Sequence, residues 1–291
     1  MKKLIIMASV LILLITSLLI LLYINKEETV IDEEVYCIKS NYAYLSSGKT
    51  NLNIKLYSND KNSILGFATE ADARLHDRSS ENILSVKINE SYIKTTAMYK
   101  ENIFYEYNLL VEIDITSFII DDCYLTLDFP EKSYVFNIGR VELKERPKDL
   151  KQLNVTNLYG LSSVDDISLK GIVITLKNTN NFSWKVDDVN IGDNCQVLLD
   201  NSNQIQISED TTIETYKYKD VHLNGYLLVP HNESKTFILP IQKNSDIYLY
   251  NCYLLLEING NKYYISNFDY INTNDLFTLE KYITSGLIYD F

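Results

Sequence analysis

The chain has 291 residues and a formal net charge of −12, from 39 acidic and 27 basic side chains. This acidic balance argues against a nucleic-acid binder, whose affinity comes largely from neutralising phosphates. Hydrophobic residues make up 46% of the chain and there are only nine Gly and four Pro, which excludes a collagen-like or disordered protein.

The first element along the chain is an uncharged apolar run from Leu4 to Ile24. A helix of this length spans roughly 30 Å, the thickness of the hydrocarbon core of a bilayer. Lys2 and Lys3 precede the run and acidic residues follow it, which predicts a cytoplasmic N-terminus and an extracytoplasmic bulk. We therefore interpret residues 1–33 as a single-pass anchor and juxtamembrane segment in the cell membrane.

Two other interpretations of this run stay open. A cleaved signal peptide usually has a shorter apolar region, about 7–15 residues, that ends at an A-x-A site, whereas this run ends in Leu21-Leu22-Tyr23-Ile24-Asn25. A buried helix of a soluble protein is the second alternative. Both the anchor and the signal peptide send the rest of the chain across a membrane.

Alternating apolar and polar residues dominate the remainder of the chain. A period of two marks strands with one face on a core and one face in water, so we predict an all-β protein built of sandwiches. Short helices are the predicted exceptions, at residues 70–76 and 275–283. The apolar positions of the clearest alternating runs are Leu52, Ile54, Leu56, Leu84, Val86, Ile88, Ile172, Ile174 and Leu176.

Two stretches of the sequence occur twice. Residues 41–47 are echoed at 157–163, and residues 123–129 are echoed at 252–258. Self-similarity at long spacing indicates a repeated unit. The charged segment around Pro147 interrupts the alternation and predicts a junction. We therefore predict two tandem β-sandwich domains, residues 34–145 and 146–291, the second a repeat of the first with a short C-terminal helix or tail.

Each predicted domain ends in a hairpin. The strand that begins at Cys123 is followed by a turn and an aromatic strand, and so is the strand that begins at Cys252. In the second case the turn contains Asn259-Gly260, a strong hairpin signal because both residues tolerate positive φ.

The stretch Asp246-Ile247-Tyr248-Leu249-Tyr250-Asn251-Cys252 matches the pattern D-x-x-x-Y-x-C around the tyrosine corner of immunoglobulin domains. With its tandem architecture, the chain resembles bacterial membrane-anchored proteins with Ig-like β-sandwich domains. The resemblance implies an Ig-like fold for each domain and covers only this stretch. The first copy has Ser117 and Asp121 at the matching positions, and Trp184 precedes Cys195, whereas the core Trp of the family follows its first Cys.

Four cysteines, Cys37, Cys123, Cys195 and Cys252, all lie outside the membrane in this topology. Disulfides are permitted there, and the pairing we prefer is Cys37 with Cys123 and Cys195 with Cys252. Buried free thiols are the alternative and the interpretation we favour, because domains of this length need no covalent staple and a buried Cys behaves as a small hydrophobe.

Catalytic and metal-binding motifs are missing from the sequence. The three histidines, His76, His222 and His231, stand in no known catalytic or zinc spacing, and no phosphate or dinucleotide fingerprint occurs. Asp187 and Asp188 offer oxygen ligands for calcium, but Gly192 occupies a position where an EF-hand needs a ligand, so we interpret them as turn residues. We predict no enzyme, no cofactor and no metal.

Tyrosine supplies the candidate binding residues, Tyr105, Tyr107, Tyr216 and Tyr218, which lie on strands whose other face is polar. Exposed tyrosines offer rigid amphipathic contact area to protein or glycan partners. The simpler interpretation is that Tyr has high β-propensity and half-buries well on a sheet.

These observations predict a non-catalytic binding or scaffolding protein at the cell envelope, with a protein or glycan partner at a sheet face or at the groove between the domains. A module that binds glycans or wall polymers is one alternative. An envelope hydrolase that gathers His222 or His231 with Ser and Asp from distant positions is another.

Overall fold

A computed structural model describes residues 33–161, 169–192, 195–201, 203–205, 225–243, 249–270 and 283–290. Strands dominate these residues, which confirms the all-β prediction. Two short 3₁₀ segments, Ile64–Glu70 and Leu199–Asn201, lie among them. The strands are β1 (Val35–Ile38), β2 (Ser40–Ser46), β3 (Lys49–Ser58), β4 (Asp72–His76), β5 (Ile83–Tyr99), β6 (Asn102–Asp114), β7 (Phe118–Asp128), β8 (Lys132–Glu145), β9 (Lys151–Gln152), β10 (Asn157–Leu161), β11 (Gly171–Lys177), β12 (Trp184–Asn190), β13 (Cys195–Val197), β14 (Asn203–Ile205), β15 (Leu227–Val229), β16 (Ser234–Lys243), β17 (Leu249–Ile258), β18 (Asn261–Tyr270), β19 (Ile283–Ser285) and β20 (Leu287–Asp290).

The first half, residues 34–145, forms two antiparallel layers. One layer runs β1–β3–β6–β5 and the other runs β5–β4–β7–β8. The long strand β5 belongs to both, because it pairs first with β4 and then with β6. Alternate residues of these strands meet in the first core, which includes Leu52, Ile54, Leu56, Val111, Leu125, Leu127 and Phe136.

The second half, residues 146–291, repeats this set of pairings. β11 pairs with β16, β12 with β15 and β17, and β17 with β18, as β3 pairs with β6, β4 with β5 and β7, and β7 with β8. The second core includes Ile172, Ile174, Leu176, Trp184, Val186, Leu239, Leu254 and Leu256. The division into two domains at residue 145 stays a prediction.

The second core also takes in side chains from the first half. Ile38, Tyr57 and Phe104 belong to the same buried cluster as the strands of the second half. The two halves therefore share apolar packing within one unit, Glu34–Phe291.

Strand β2 connects the two halves. It pairs in parallel with β8 over its whole length and in parallel with the beginning of β17. Tyr42 and Tyr44 point into the first core, while Ala43 lies in the second core and Leu45 packs against it. Both faces of β2 are therefore covered, and its pairing with β8 and β17 makes it a central strand rather than an edge.

A glycine permits the close approach of β2 to β8. Gly139 has a φ of +97°, and a Cβ there would lie 2.7 Å from the backbone nitrogen of Ser40 and closer still to the Ser40 carbonyl oxygen. Any larger residue forces the two strands apart.

The echoing segments 41–47 and 157–163 hold different places in the sheets. β2 lies between two parallel neighbours, whereas β10 pairs in antiparallel fashion with β11. β2 pairs in parallel with β8, and in the second half the corresponding parallel pairing joins the short β9 to β18. The similarity between residues 41–47 and 157–163 therefore does not identify structurally equivalent strands.

The predicted helix at residues 70–76 is wrong. Asp72–His76 forms β4, because Ala73 and Leu75 are buried between the exposed Asp72 and Arg74 with a period of two. The 3₁₀ turn precedes it, and the Ser63 hydroxyl accepts a hydrogen bond from Leu65 N at 3.2 Å.

The predicted hairpin at Asn259-Gly260 is confirmed. Both residues have positive φ, 50° and 76°, between the paired strands β17 and β18. The predicted helix at 275–283 lies outside the described residues except for Ile283, which begins β19. The predicted span from Leu4 to Ile24 lies outside them as well, and none of the helices in the described ranges has the length and apolar character to cross a membrane.

Candidate functional site

An open groove of about 270 Å³ lies where the end of β2 meets the second half. Its lining comes from both halves: Leu45 and Lys144 on β2 and β8, and Asp188 and Leu255 on β12 and β17. We call this cavity the junction groove.

Strand register explains which side chains line the junction groove. Tyr253, Leu255 and Glu257 alternate along β17, so they share one face of the strand. Asp188 lies directly opposite Glu257 on one side, and Lys262 lies opposite Glu257 on the other. The result is a row of two acids and one base across three neighbouring strands, and two like charges in register are unfavourable to the folded chain.

A buried ion cluster lies beside this row. The Glu142 side chain is fully buried, and its carboxylate lies 3.0 Å from Arg140 Nη2 and 3.0 Å from Lys144 Nζ. Arg140 also forms an ion pair with Asp121. Removal of one partner from such a buried cluster is costly, because an uncompensated charge is left behind. The ammonium group of Lys144 therefore pairs with Glu142, although the Lys144 side chain also lines the groove.

Three other carboxylates of the groove have no such partner among the described residues. Among the residues that the structure describes, no hydrogen bond or ion pair holds the side chains of Glu145, Asp188 or Glu257. Lys262 is the uncommitted base beside them. The junction groove therefore presents a net negative charge from groups that are free to bind.

The segment after β8 fixes one wall of the groove. Arg146 N donates to the Ser46 carbonyl at 2.8 Å, and the Arg146 guanidinium lies 4.0 Å from the centre of the Tyr264 ring. The Tyr264 hydroxyl donates to Gln152 Oε1 at 3.1 Å, and Leu153 N donates to the Tyr264 carbonyl at 2.8 Å. These contacts hold the predicted linker against β2 and β18, so this wall of the groove is part of the folded structure.

The candidate tyrosines do not form one binding surface. Tyr107 is 1% exposed, and its hydroxyl donates to the carbonyls of Asp60 and Lys61 at 2.9 and 2.8 Å. Its assignment as a surface binding residue is wrong, because the ring fills the first core and the hydroxyl holds the turn before the 3₁₀ segment. Tyr105 is half-buried against the first core. Tyr216 and Tyr218 lie outside the described residues.

All four cysteines are buried thiols that take part in no disulfide. The disulfides Cys37–Cys123 and Cys195–Cys252 are not formed, and the thiols instead approach backbone carbonyls: Cys37 Sγ lies 3.7 Å from the Ile38 oxygen and Cys252 Sγ lies 3.8 Å from the Asn41 oxygen. Burial raises the pKa of the Cys37 thiol to about 12 and that of Cys123 to about 12. Neither thiol is a nucleophile at neutral pH.

Two of the residues considered for catalysis or metal binding, His76 and Asp187, have structural partners. His76 Nε2 lies 2.9 Å from Thr126 Oγ1 and Nδ1 lies 2.7 Å from the Asp77 carbonyl, while His222 is outside the described part of the chain. Asp187 pairs with Lys185. Within the described ranges, no group of three or more His, Cys, Asp or Glu side chains is placed to hold a metal ion.

Sequence reasoning found Asp188 only as half of an acidic pair and missed the other groove residues. The alternation on β17 marks Leu255 and Glu257 as sharing a face, but it does not reveal that β2 brings Leu45 and Lys144 beside them. That contact depends on a parallel pairing between strands about 200 residues apart, and local patterns carry no signal for such a pairing.

No family model matches the chain, and the search of curated proteins gives no match. Among solved structures, the chain has a weak likeness to "BspA_C_WT", with 12% identity and a TM-score of 0.20, over 81% of this chain and 99% of that chain. The Streptococcus agalactiae AgI/II polypeptide BspA C terminal domain (WT) matches at 12% identity and a TM-score of 0.18, over 81% and 99%. With scores this low, neither likeness carries a conclusion about fold or function.

Proposed function

We propose that this protein is a non-catalytic binding or scaffolding protein of the cell envelope that holds a protein partner in the junction groove. In this proposal Leu4–Ile24 is the membrane anchor. Residues 34–145 and 146–291 are then two Ig-like sandwich domains on the outer side of the membrane.

One observation carries the proposal. Strand β2 is hydrogen-bonded to the first half through β8 and to the second half through β17, so the groove walls from the two halves are fixed relative to each other within one sheet. A groove with preset walls loses little freedom on binding, and this preorganisation favours recognition. The Arg146–Tyr264 contact supports the same wall.

In-cell photo-crosslinking tests the proposal. A benzophenone amino acid replaces Asn190, which lines the groove, in the full-length protein. The matched control carries the same amino acid at Glu81, an exposed residue before β5. After irradiation, the crosslinked species are identified by mass spectrometry, and a membrane fraction prepared in parallel reports whether the chain is anchored.

We expect one envelope protein to crosslink from position 190 and not from position 81. The same mixture of proteins from both positions would contradict a specific partner. If position 190 yields no protein while the purified chain binds wall polymers, the protein partner is wrong and the glycan module replaces it. Recovery of the chain in the soluble fraction would overturn the anchor.

A further inference from the structure

We infer that the junction groove accepts a basic side chain, that of an arginine or lysine in an extended segment of the partner protein. This inference rests on the proposed function, because it names the chemistry of the partner that the groove would hold.

Charge complementarity is the first ground. Asp188 and Glu257 lie in register on adjacent strands and Glu145 lines the same cavity, and none of the three carboxylates has a hydrogen bond or ion pair among the described residues. A cation placed between Asp188 and Glu257 removes the repulsion between them, whereas an anion adds to it. The groove is therefore built for positive charge.

The two lysines of the groove also favour a cationic ligand over an anionic one. Lys144 Nζ lies 3.0 Å from Glu142 Oε1, so recruitment of this ammonium by an anionic ligand would leave a fully buried carboxylate with one cation fewer. Lys262 is opposite Glu257 in register and is the one uncommitted base among the described lining residues. One lysine against three free carboxylates does not make an anion site.

The shape and apolar part of the lining select a side chain with an aliphatic stem. Leu45, Pro147 and Leu255 contribute carbon surface to a cavity of about 270 Å³. Arginine and lysine lay their methylene stems along such surface while the charged head reaches polar groups. The planar guanidinium also presents five donors, which suits two carboxylates on neighbouring strands.

Fluorescence anisotropy on the detergent-solubilised full-length protein tests the inference. The probe is a dye-labelled hexapeptide, acetylated and amidated, of sequence Ser-Leu-Arg-Leu-Arg-Ser, and the comparison peptides carry Gln or Glu in place of both Arg. The protein variants are Asp188→Asn and Glu257→Gln, which keep side-chain shape and remove charge. Asp187→Asn is the matched control, because it makes the same change of net charge outside the groove at a carboxylate already paired with Lys185.

We expect the Arg peptide to bind at least tenfold more tightly than the Gln peptide, with no binding of the Glu peptide. Asp188→Asn and Glu257→Gln should each weaken the Arg peptide about tenfold, and Asp187→Asn should leave it unchanged. An equal loss in Asp187→Asn, or equal binding of the Arg and Gln peptides, would overturn the inference. A partner crosslinked from position 190 alongside such a result would leave the proposed function intact and the basic side chain wrong.

Discussion

Strands β2 and β10 have similar sequences and opposite roles. Ser40–Ser46 is almost wholly buried, with β8 paired along its whole length and β17 along Ser40–Ala43. Its alternate side chains enter both cores. Asn157–Leu161 pairs with β11, and most of its residues are half-buried or exposed. The surroundings, rather than the local residues, therefore decide which of two similar segments becomes a central strand.

The largest expected difference between the two strands is at the echoing positions Tyr42 and Leu158. Tyr42→Ala empties a fully enclosed site and should lower the free energy of unfolding by about 3–5 kcal/mol, as for other buried aromatics. Leu158→Ala, at a half-buried site, should cost about 1 kcal/mol. Urea unfolding followed by the fluorescence of Trp184, the single tryptophan, measures both.

Trp184 also shows whether the halves unfold together. It lies in the second core, whereas Tyr42 lies in the first. The fluorescence of Trp184 should therefore report the full decrease in unfolding free energy caused by Tyr42→Ala. A Trp184 transition unchanged by Tyr42→Ala would show that β2 does not couple the halves.

Gly139 provides the next test, because it sets the distance between β2 and β8. Gly139→Ala should cost about 2–4 kcal/mol, from left-handed backbone strain and overlap with the Ser40 backbone together. The control is Gly260→Ala, where φ is +76° and nothing lies within 4 Å of the added carbon, so only the strain of about 1–2 kcal/mol applies. Thermal denaturation of both variants measures the difference, and equal losses would mean that β2 does not approach β8 so closely.

The pH dependence of stability tests the two buried thiols of the first core. The pKa values of Cys37 and Cys123 are raised to about 12 in the folded chain, so the unfolded chain releases these protons first as the pH rises. The contribution of the two thiols to stability should be constant below the ordinary thiol pKa of about 8.5 and then fall, by about 1 kcal/mol per thiol between pH 9 and 10.

The variant Cys37→Ala should remove about half of that slope. The remaining loss should again be visible at Trp184, although both thiols belong to the first core. The same slope in Cys37→Ala and the wild type would assign the pH dependence to other groups.

The smallest expected effect concerns the junction after β8. Arg146→Ala removes the guanidinium from the Tyr264 ring, a contact worth about 0.5–1 kcal/mol at a partly exposed site. Arg146→Lys should recover part of this loss, because lysine keeps the charge without the planar face. Urea midpoints compare the three proteins, and a loss in Arg146→Ala equal to that of Tyr42→Ala would mean that the linker contributes as much as β2.

The sequence predicts the strands well where one face is buried and the other is wet. Leu52, Ile54 and Leu56 are all 0% exposed, as their alternation indicates, and Asn259-Gly260 forms the turn that its residues favour. The helix predicted at residues 70–76 is wrong because Ala71 and Leu75, although four residues apart as on a helical face, lie in a segment where the buried Ala73 and Leu75 alternate with exposed residues.

The same sequence patterns do not predict the junction groove. Its position depends on β2 pairing with strands from both halves, and a strand covered on both faces has no alternation to show its neighbours. The burial of Tyr107 illustrates the same limit, since the alternation of a strand does not show whether a tyrosine on it is exposed or lies in the core. Its hydroxyl is satisfied by the Asp60 and Lys61 carbonyls, which are distant in sequence.

Hydrogen exchange of the β2 and β10 amides, measured in the full-length protein by mass spectrometry of short peptides, shows whether β2 joins the two halves. If β2 joins the two halves, peptides covering Ser40–Ser46 should exchange only through global unfolding, while peptides covering Asn157–Leu161 should exchange faster through local opening. Exchange of β2 as fast as that of β10, or faster, would show that β2 does not join the halves, because a strand hydrogen-bonded on both edges between two cores cannot open locally.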